Sequence, residues 1–131
     1  MRSFYLILLL ASSPLFAQTC DPMATMMELD ATTKAIDSEL NAEFEKRVSE
    51  YAKLSGMNEK ATTEYQIKAV MNPEVLALQR NLNEDMTGLM DAFAQKNCDE
   101  IKRIAGLNHE RAKKQWAISI KIVEDDIAKY Q

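Results

Sequence analysis

Three residue types in this chain could do chemistry beyond packing: one histidine, two cysteines and eight methionines. His109, with a thioether from Met23, Met26 or Met27, could ligate a b-type haem iron, as in small periplasmic helical bundles. The same methionines could hold a soft ion such as copper(I). One imidazole rules out a two-histidine metal site within the chain, and the absence of Cys-x-x-Cys-His rules out ordinary c-type attachment. His109 falls on an apolar helical stripe, where a half-buried structural histidine is the ordinary alternative. Met71, Met86 and Met90 recur at core spacings, so packing is the ordinary use of the thioethers. No cofactor is expected.

Cys98 opens a helical stretch, where the helix dipole would favour a thiolate. Its only candidate base, His109, lies three turns along the same helix and beyond hydrogen-bond reach. Gly-rich phosphate loops, Ser-His-Asp sets and pocketed acid pairs are missing from the sequence, so a non-enzymatic protein is expected. Cys20 offers Cys98 a better use. Residues 1–17 run from Arg2 through the apolar stretch Phe4 to Ala11, then Ser12-Ser13-Pro14 and the small Ala17, in the order of a signal peptide. The apolar run falls short of the roughly 20 residues that a membrane span needs. Ala17-Gln18-Thr19 ahead of Cys20 argues against a lipidated cysteine. The expectation is therefore a bacterial periplasmic or secreted protein with one helical domain, 18–131, and no transmembrane segment after cleavage. In that oxidising compartment the two cysteines read most simply as a disulfide.

Without the leader the chain holds fifteen basic and twenty acidic side chains, a formal charge of −5. That balance argues against nucleic acid as a partner. Charge is nevertheless unevenly spread. Residues 21–50 carry eight acidic and three basic side chains, whereas 102–121 carry six basic and one acidic. The basic set, Lys102, Arg103, Arg111, Lys113, Lys114 and Lys121, could meet an acidic partner, lipid head groups or a phosphate-bearing polymer. It could equally face the acidic first arm.

The elements that must position these residues are helical, because breakers are scarce and Ala, Glu, Lys, Leu and Met dominate. Asp21-Pro22 is a strong helix start. Met26, Leu29, Ile36, Leu40, Phe44, Val48, Tyr51 and Leu54 then repeat at coiled-coil-like steps of three and four, with one gap across Thr33. Gly56 ends that arm. A second stripe, Ile67, Met71, Val75, Leu78, Leu82, Met86, Leu89 and Phe93, runs through residues 58–96. Pro73 within it implies either a kink or a fresh helix start capped by Asn72. The third arm starts at Asn97, with Asp99 and Glu100 in its first turn, and its stripe includes Ile101, Ala105, His109, Ala112, Trp116, Ile120, Val123, Ile127 and Tyr130. Trp116, Ile118, Ile120 and Ile122 also alternate like a strand, but their charged, helix-forming flanks favour helix.

A disulfide decides how the arms are arranged. In a four-helix up-down-up-down bundle Cys20 and Cys98 would lie at opposite ends, separated by a helix about 45 Å long. The bond requires alpha carbons roughly 5.5 Å apart. If residues 58–96 descend as one kinked or broken arm, the third arm starts beside Cys20. The predicted fold is an all-α, elongated antiparallel bundle of three arms, braced by Cys20–Cys98. Ile118 and Ile122 beside the Trp116 and Ile120 stripe give the third arm a surplus apolar face. The function expected from this is protein–protein interaction in the envelope, as an adaptor, chaperone-like factor or toxin-neutralising partner. The occupant would be another envelope protein or a second copy in a homodimer.

Overall fold

The computed structural model describes residues 20–57 and 61–131. The leader predicted for residues 1–17 lies outside the described residues. Four helices follow in order: α1 (Pro22–Ser55), α2 (Ala61–Val70), α3 (Pro73–Ala94) and α4 (Cys98–Ala128). Residues 116–122 are helical, so their alternation reflects two sides of α4. None of the described helices is long and apolar enough to cross a membrane.

Each start is set by local chemistry. The Asp21 carboxylate accepts the Ala24 N–H at 3.1 Å ahead of Pro22. Asn72 Oδ1 accepts from Glu74 and Val75, with extended backbone at φ −66°, ψ 129°. The break at Pro73 is thus a fresh start, because the Asn72 side chain replaces the partners that the new helix's first amides lack. Asn97 caps α4 through the Glu100 N–H at 3.2 Å. Gly56 ends α1 at φ +71°. Between α3 and α4 the left-handed position falls to Lys96, at φ +54°.

The break does not reverse the chain. Tyr65 of α2 meets Asp126, Asp85 of α3 meets Arg111, and Gly88 faces Ile104. Partner numbers on α4 fall steadily as the middle arm advances, on both sides of Pro73. α2 and α3 therefore form one stepped arm, antiparallel to α4. α1 runs parallel to α4 in a constant register. Cys20–Cys98, Thr33–His109 and Asp37–Trp116 are 78, 76 and 79 residues apart, and Arg47–Glu124 continues the series near the far end. The Cys20–Cys98 disulfide, with alpha carbons 6.0 Å apart, closes the end where this register begins.

The stripe expected on the middle arm is corrected. Ile67 and Met71 are 58% and 66% exposed, and Met86 and Phe93 are also exposed; α2 instead buries Ala61, Tyr65 and Ala69. A single periodicity across 58–96 assumes one helical phase, and the restart at Pro73 resets it for α2; within α3, which packs chiefly against α4, one neighbour leaves Met86 and Phe93 of the stripe uncovered. Leu54, at the end of α1, is likewise exposed.

The charge pairing expected between the first and third arms is also corrected. Among the described residues the one α1–α4 ion pair has the opposite sense, Arg47 on α1 with Glu124 on α4. Arg111 turns instead to Asp85 of α3. Most of the remaining pairs lie three or four residues apart within one helix, and exposed pairs of this kind contribute at most about 1 kcal/mol.

Burial is concentrated at the two ends. Phe44, Val48, Ala61, Tyr65, Val123 and Ile127 form the main core, far from the disulfide. Nearer the disulfide, Ala92, Ile101 and Ile104 are buried. Between these clusters no α1 side chain from Met23 to Glu43 is fully buried. The same holds for α3 between Val75 and Ala92.

Candidate functional site

α1 and α3 both pack along α4 but hardly against each other. The result is a groove of about 640 Å³ between them, floored by α4, in the section where the core is thin. Phe44 lies on the α1 wall, Val75 and Leu82 on the α3 wall, and Trp116 on the floor, with Ala69 and Val70 of α2 at the upper end. A three-arm bundle has this shape because the fourth corner of a four-helix arrangement is empty.

Two hydrogen bonds fix the α1–α4 side of the groove. The Trp116 indole N–H donates to Asp37 Oδ1 at 3.0 Å. One turn below, Thr33 Oγ1 lies 2.8 Å from His109 Nε2 and 3.0 Å from the Leu29 carbonyl oxygen. A carbonyl can only accept, so one arrangement satisfies all three groups: Thr33 donates to Leu29 while its oxygen accepts from Nε2–H. Thr33 fills the gap in the α1 stripe. Its apolar neighbours hid the fact that a polar residue there faces another polar residue on α4.

At the upper end, the Tyr65 hydroxyl donates to Asp126 Oδ2 at 2.6 Å, and Lys68 and Lys129 approach the same carboxylate at 3.4 and 2.6 Å. The Lys129 bond first, then those from Tyr65 and Lys68, hold the Asp126 carboxyl down to about 2. Burial, then the bond to Asp126, pushes the Tyr65 hydroxyl far above its ordinary range. Tyr51 packs edge-on against Tyr65 and Tyr130, with ring centroids 5.1 and 5.9 Å apart. This cluster ties α2 to α1 and α4.

The residues singled out by sequence do not all meet. Trp116, Ile120 and Ile122 pack against the main core. Ile118 turns to a smaller cleft of about 410 Å³ on the other side of α3, with Leu78, Asn81 and Lys114. Of these four, Trp116 alone lines the large groove. In the basic set, Arg103, Arg111, Lys113 and Lys121 each pair with a carboxylate. Lys102 borders a polar hollow beside the disulfide, with Asp21, Glu28, Lys96 and Asp99.

His109 and the methionines are not brought together. Met26 is seven residues below Thr33 on α1, roughly 10 Å along the helix, whereas His109 Nε2 is engaged by Thr33 itself. Met23 and Met27 are exposed, as are Met86 and Met90 of α3. Among the described residues, no three His, Cys, Asp or Glu side chains gather as metal ligands would.

The groove went unseen in the sequence because it is made by what α1 and α3 fail to touch. Its neutral polar lining, including Asn41, Gln66, Asn108 and Gln115, carries no motif. No family model matches the chain, nor does any curated protein or solved structure.

Proposed function

We propose that this is an exported, non-enzymatic adaptor of the bacterial envelope that accepts a helix of a partner protein in the groove between α1 and α3. One observation carries the reading. Val70 of α2, Val75 and Leu82 of α3 and Ala112 and Trp116 of α4 line the groove with apolar side chains, α1 adds Phe44 beside the polar Thr33, Asp37, Ser38 and Asn41, and no α1 side chain between Met23 and Glu43 is fully buried. A helix face left half-covered on an open groove is where another helix gains most by binding, and such grooves are read by apolar residues at helical spacing. The leader and the disulfide support a periplasmic or secreted setting.

The experiment is site-specific photocrosslinking in the native envelope. A photoreactive side chain at Asn41 or Leu82 of the groove should capture one partner, and the crosslinked peptide should be helical. Ala117, on the opposite cleft, serves as the control. Equal capture from Ala117 and Leu82 would overturn the groove as the binding surface.

A further inference from the structure

Among the described residues that line the groove, Asp37 is the one with an ionisable side chain, and no described lysine, arginine or histidine joins it. Trp116 holds Asp37 Oδ1 from the groove floor, which fixes the carboxylate in place. No cation among the described residues pairs with Asp37. Uncharged side chains make up the rest of the lining, polar beside Asp37 on α1 and apolar across on α3, so a charge in this recess would be screened less than at an open surface.

Resting on the reading of the groove as a helix-binding site, we propose that the occupying helix is a basic amphipathic one, with a lysine or arginine in its apolar face seated on Asp37. The dimensions fit a helix. The groove runs from Thr33 to Phe44 on α1 and from Asn108 to Ser119 on α4, about 16 Å or three helical turns. Charge then selects among helices. A carboxylate on the buried face would meet Asp37 with no cation to offset it, whereas a cation there forms a charge-assisted hydrogen bond. The neutral amides of Asn41, Gln66, Asn108 and Gln115 can meet polar side chains flanking the apolar row without adding a charge of their own.

The test uses the full-length, disulfide-bonded protein and its single tryptophan. Three synthetic 16-residue helical peptides of leucine, alanine and glutamine, free of aromatic residues, differ at one central position of the apolar face: lysine, norleucine or glutamate. Binding is followed by Trp116 emission. The lysine peptide should bind at least tenfold tighter than the glutamate peptide. Asp37→Asn, which keeps an oxygen to accept the indole N–H, should weaken the lysine peptide at least fivefold and leave the norleucine peptide unchanged. Equal binding of the lysine and glutamate peptides, or indifference to Asp37→Asn, would overturn the basic anchor and leave the helix groove standing. If none of the three peptides perturbs Trp116, the groove reading falls as well. An emission change driven by protein concentration alone would assign the groove to a second copy and overturn the proposal.

Discussion

The Asp37 carboxylate accepts the Trp116 indole N–H at 3.0 Å, across a seam joining residues 79 apart in sequence. This bond sits on the groove wall where no neighbouring α1 side chain is fully buried, so it supplies much of the local definition of α1 against α4. A hydrogen bond to a charged acceptor contributes about 1.5–3 kcal/mol, less where water competes. Asp37→Ala should therefore cost about 1–2 kcal/mol, and Asp37→Asn less than about 1 kcal/mol, since the amide oxygen still accepts. Urea unfolding followed by Trp116 emission measures both. Equal losses for the two variants would show that the carboxylate's charge, not its acceptor, holds the indole.

The disulfide sets the register that Thr33–His109, Asp37–Trp116 and Arg47–Glu124 continue. Its loop spans 78 residues, for which the chain-entropy account gives up to about 4–5 kcal/mol and practice often less. The local effect should be more telling than the total. Replacing both cysteines by serine should accelerate amide exchange in the α1 section from Pro22 to Leu40, which lacks a fully buried side chain, before it touches Phe44 to Ser55. Uniform acceleration along α1 would mean that the bond acts on global stability alone.

Asp126 gives a pH dependence whose sign is fixed. Its carboxyl, held down to about 2 by Lys129 first and then by Tyr65 and Lys68, titrates near 3.9 when unfolded. A depressed folded value contributes stability that is complete above the unfolded value and is lost as pH falls from about 4 toward 2. Tyr65 acts at the other extreme. With its folded value raised, unfolding releases its proton once pH exceeds about 10, so stability declines above that point. Comparing denaturant midpoints at pH 5 and pH 2.5, Asp126→Asn should lose less on acidification than the parent. An identical acid loss in the two proteins would assign it to other carboxylates.

Lys96 ends the α3–α4 turn in the left-handed region, at φ +54°, and its successor Asn97 donates back to the Ala92 carbonyl at 2.9 Å. That closing bond demands the left-handed residue before it. For a side chain with a Cβ the conformation costs about 1–2 kcal/mol per residue, partly offset in glycine by the extra freedom of its unfolded chain. Lys96→Gly should raise stability by about 0.5–1 kcal/mol. A fall in thermal midpoint would mean that the Lys96 side chain contributes more to the turn than its backbone costs.

Much of what depends on local chemistry was legible in sequence. Asp21-Pro22 and Asn97 each cap the helix they announce, whereas Asn72-Pro73 allowed a kink as well as the fresh start that the structure shows. The pairing of Cys20 with Cys98 pointed to a middle arm that descends through Pro73. What depended on helical phase was not legible. Thr33 looked like a gap in a stripe, yet it meets His109. Ile118 and Ile122 were read together as a surplus face beside the Trp116 and Ile120 stripe, yet Ile122 packs against the main core while Ile118 turns to the cleft beside α3. The groove is further removed from any pattern, because it depends on the spacing of α1 and α3, two elements joined through α4. Asp37 gave no signal as one of eight acidic residues on the first arm, and only the Trp116 contact distinguishes it.

The phase of α2 is open to a direct test, and the hydrophobic ranking of its residues points the wrong way. By side-chain size Ile67, and Met71 in the turn that follows α2, should be core residues and Ala69 an incidental one. In the structure Ile67 and Met71 are more than half exposed, while Ala69 is 7% exposed and lines the upper groove with Val70 and Phe44. An exposed apolar residue exchanged for a polar one changes stability by no more than about 0.5 kcal/mol. Burying a larger polar side chain in place of a packed alanine combines overpacking, at about 1–3 kcal/mol, with loss of solvation for the new amide. Ile67→Gln and Met71→Gln should therefore leave the urea midpoint nearly unchanged, whereas Ala69→Gln should lower stability by at least about 2 kcal/mol. The opposite order would place Ile67 in the core, which would rotate α2 by nearly half a turn and move Tyr65 away from Asp126.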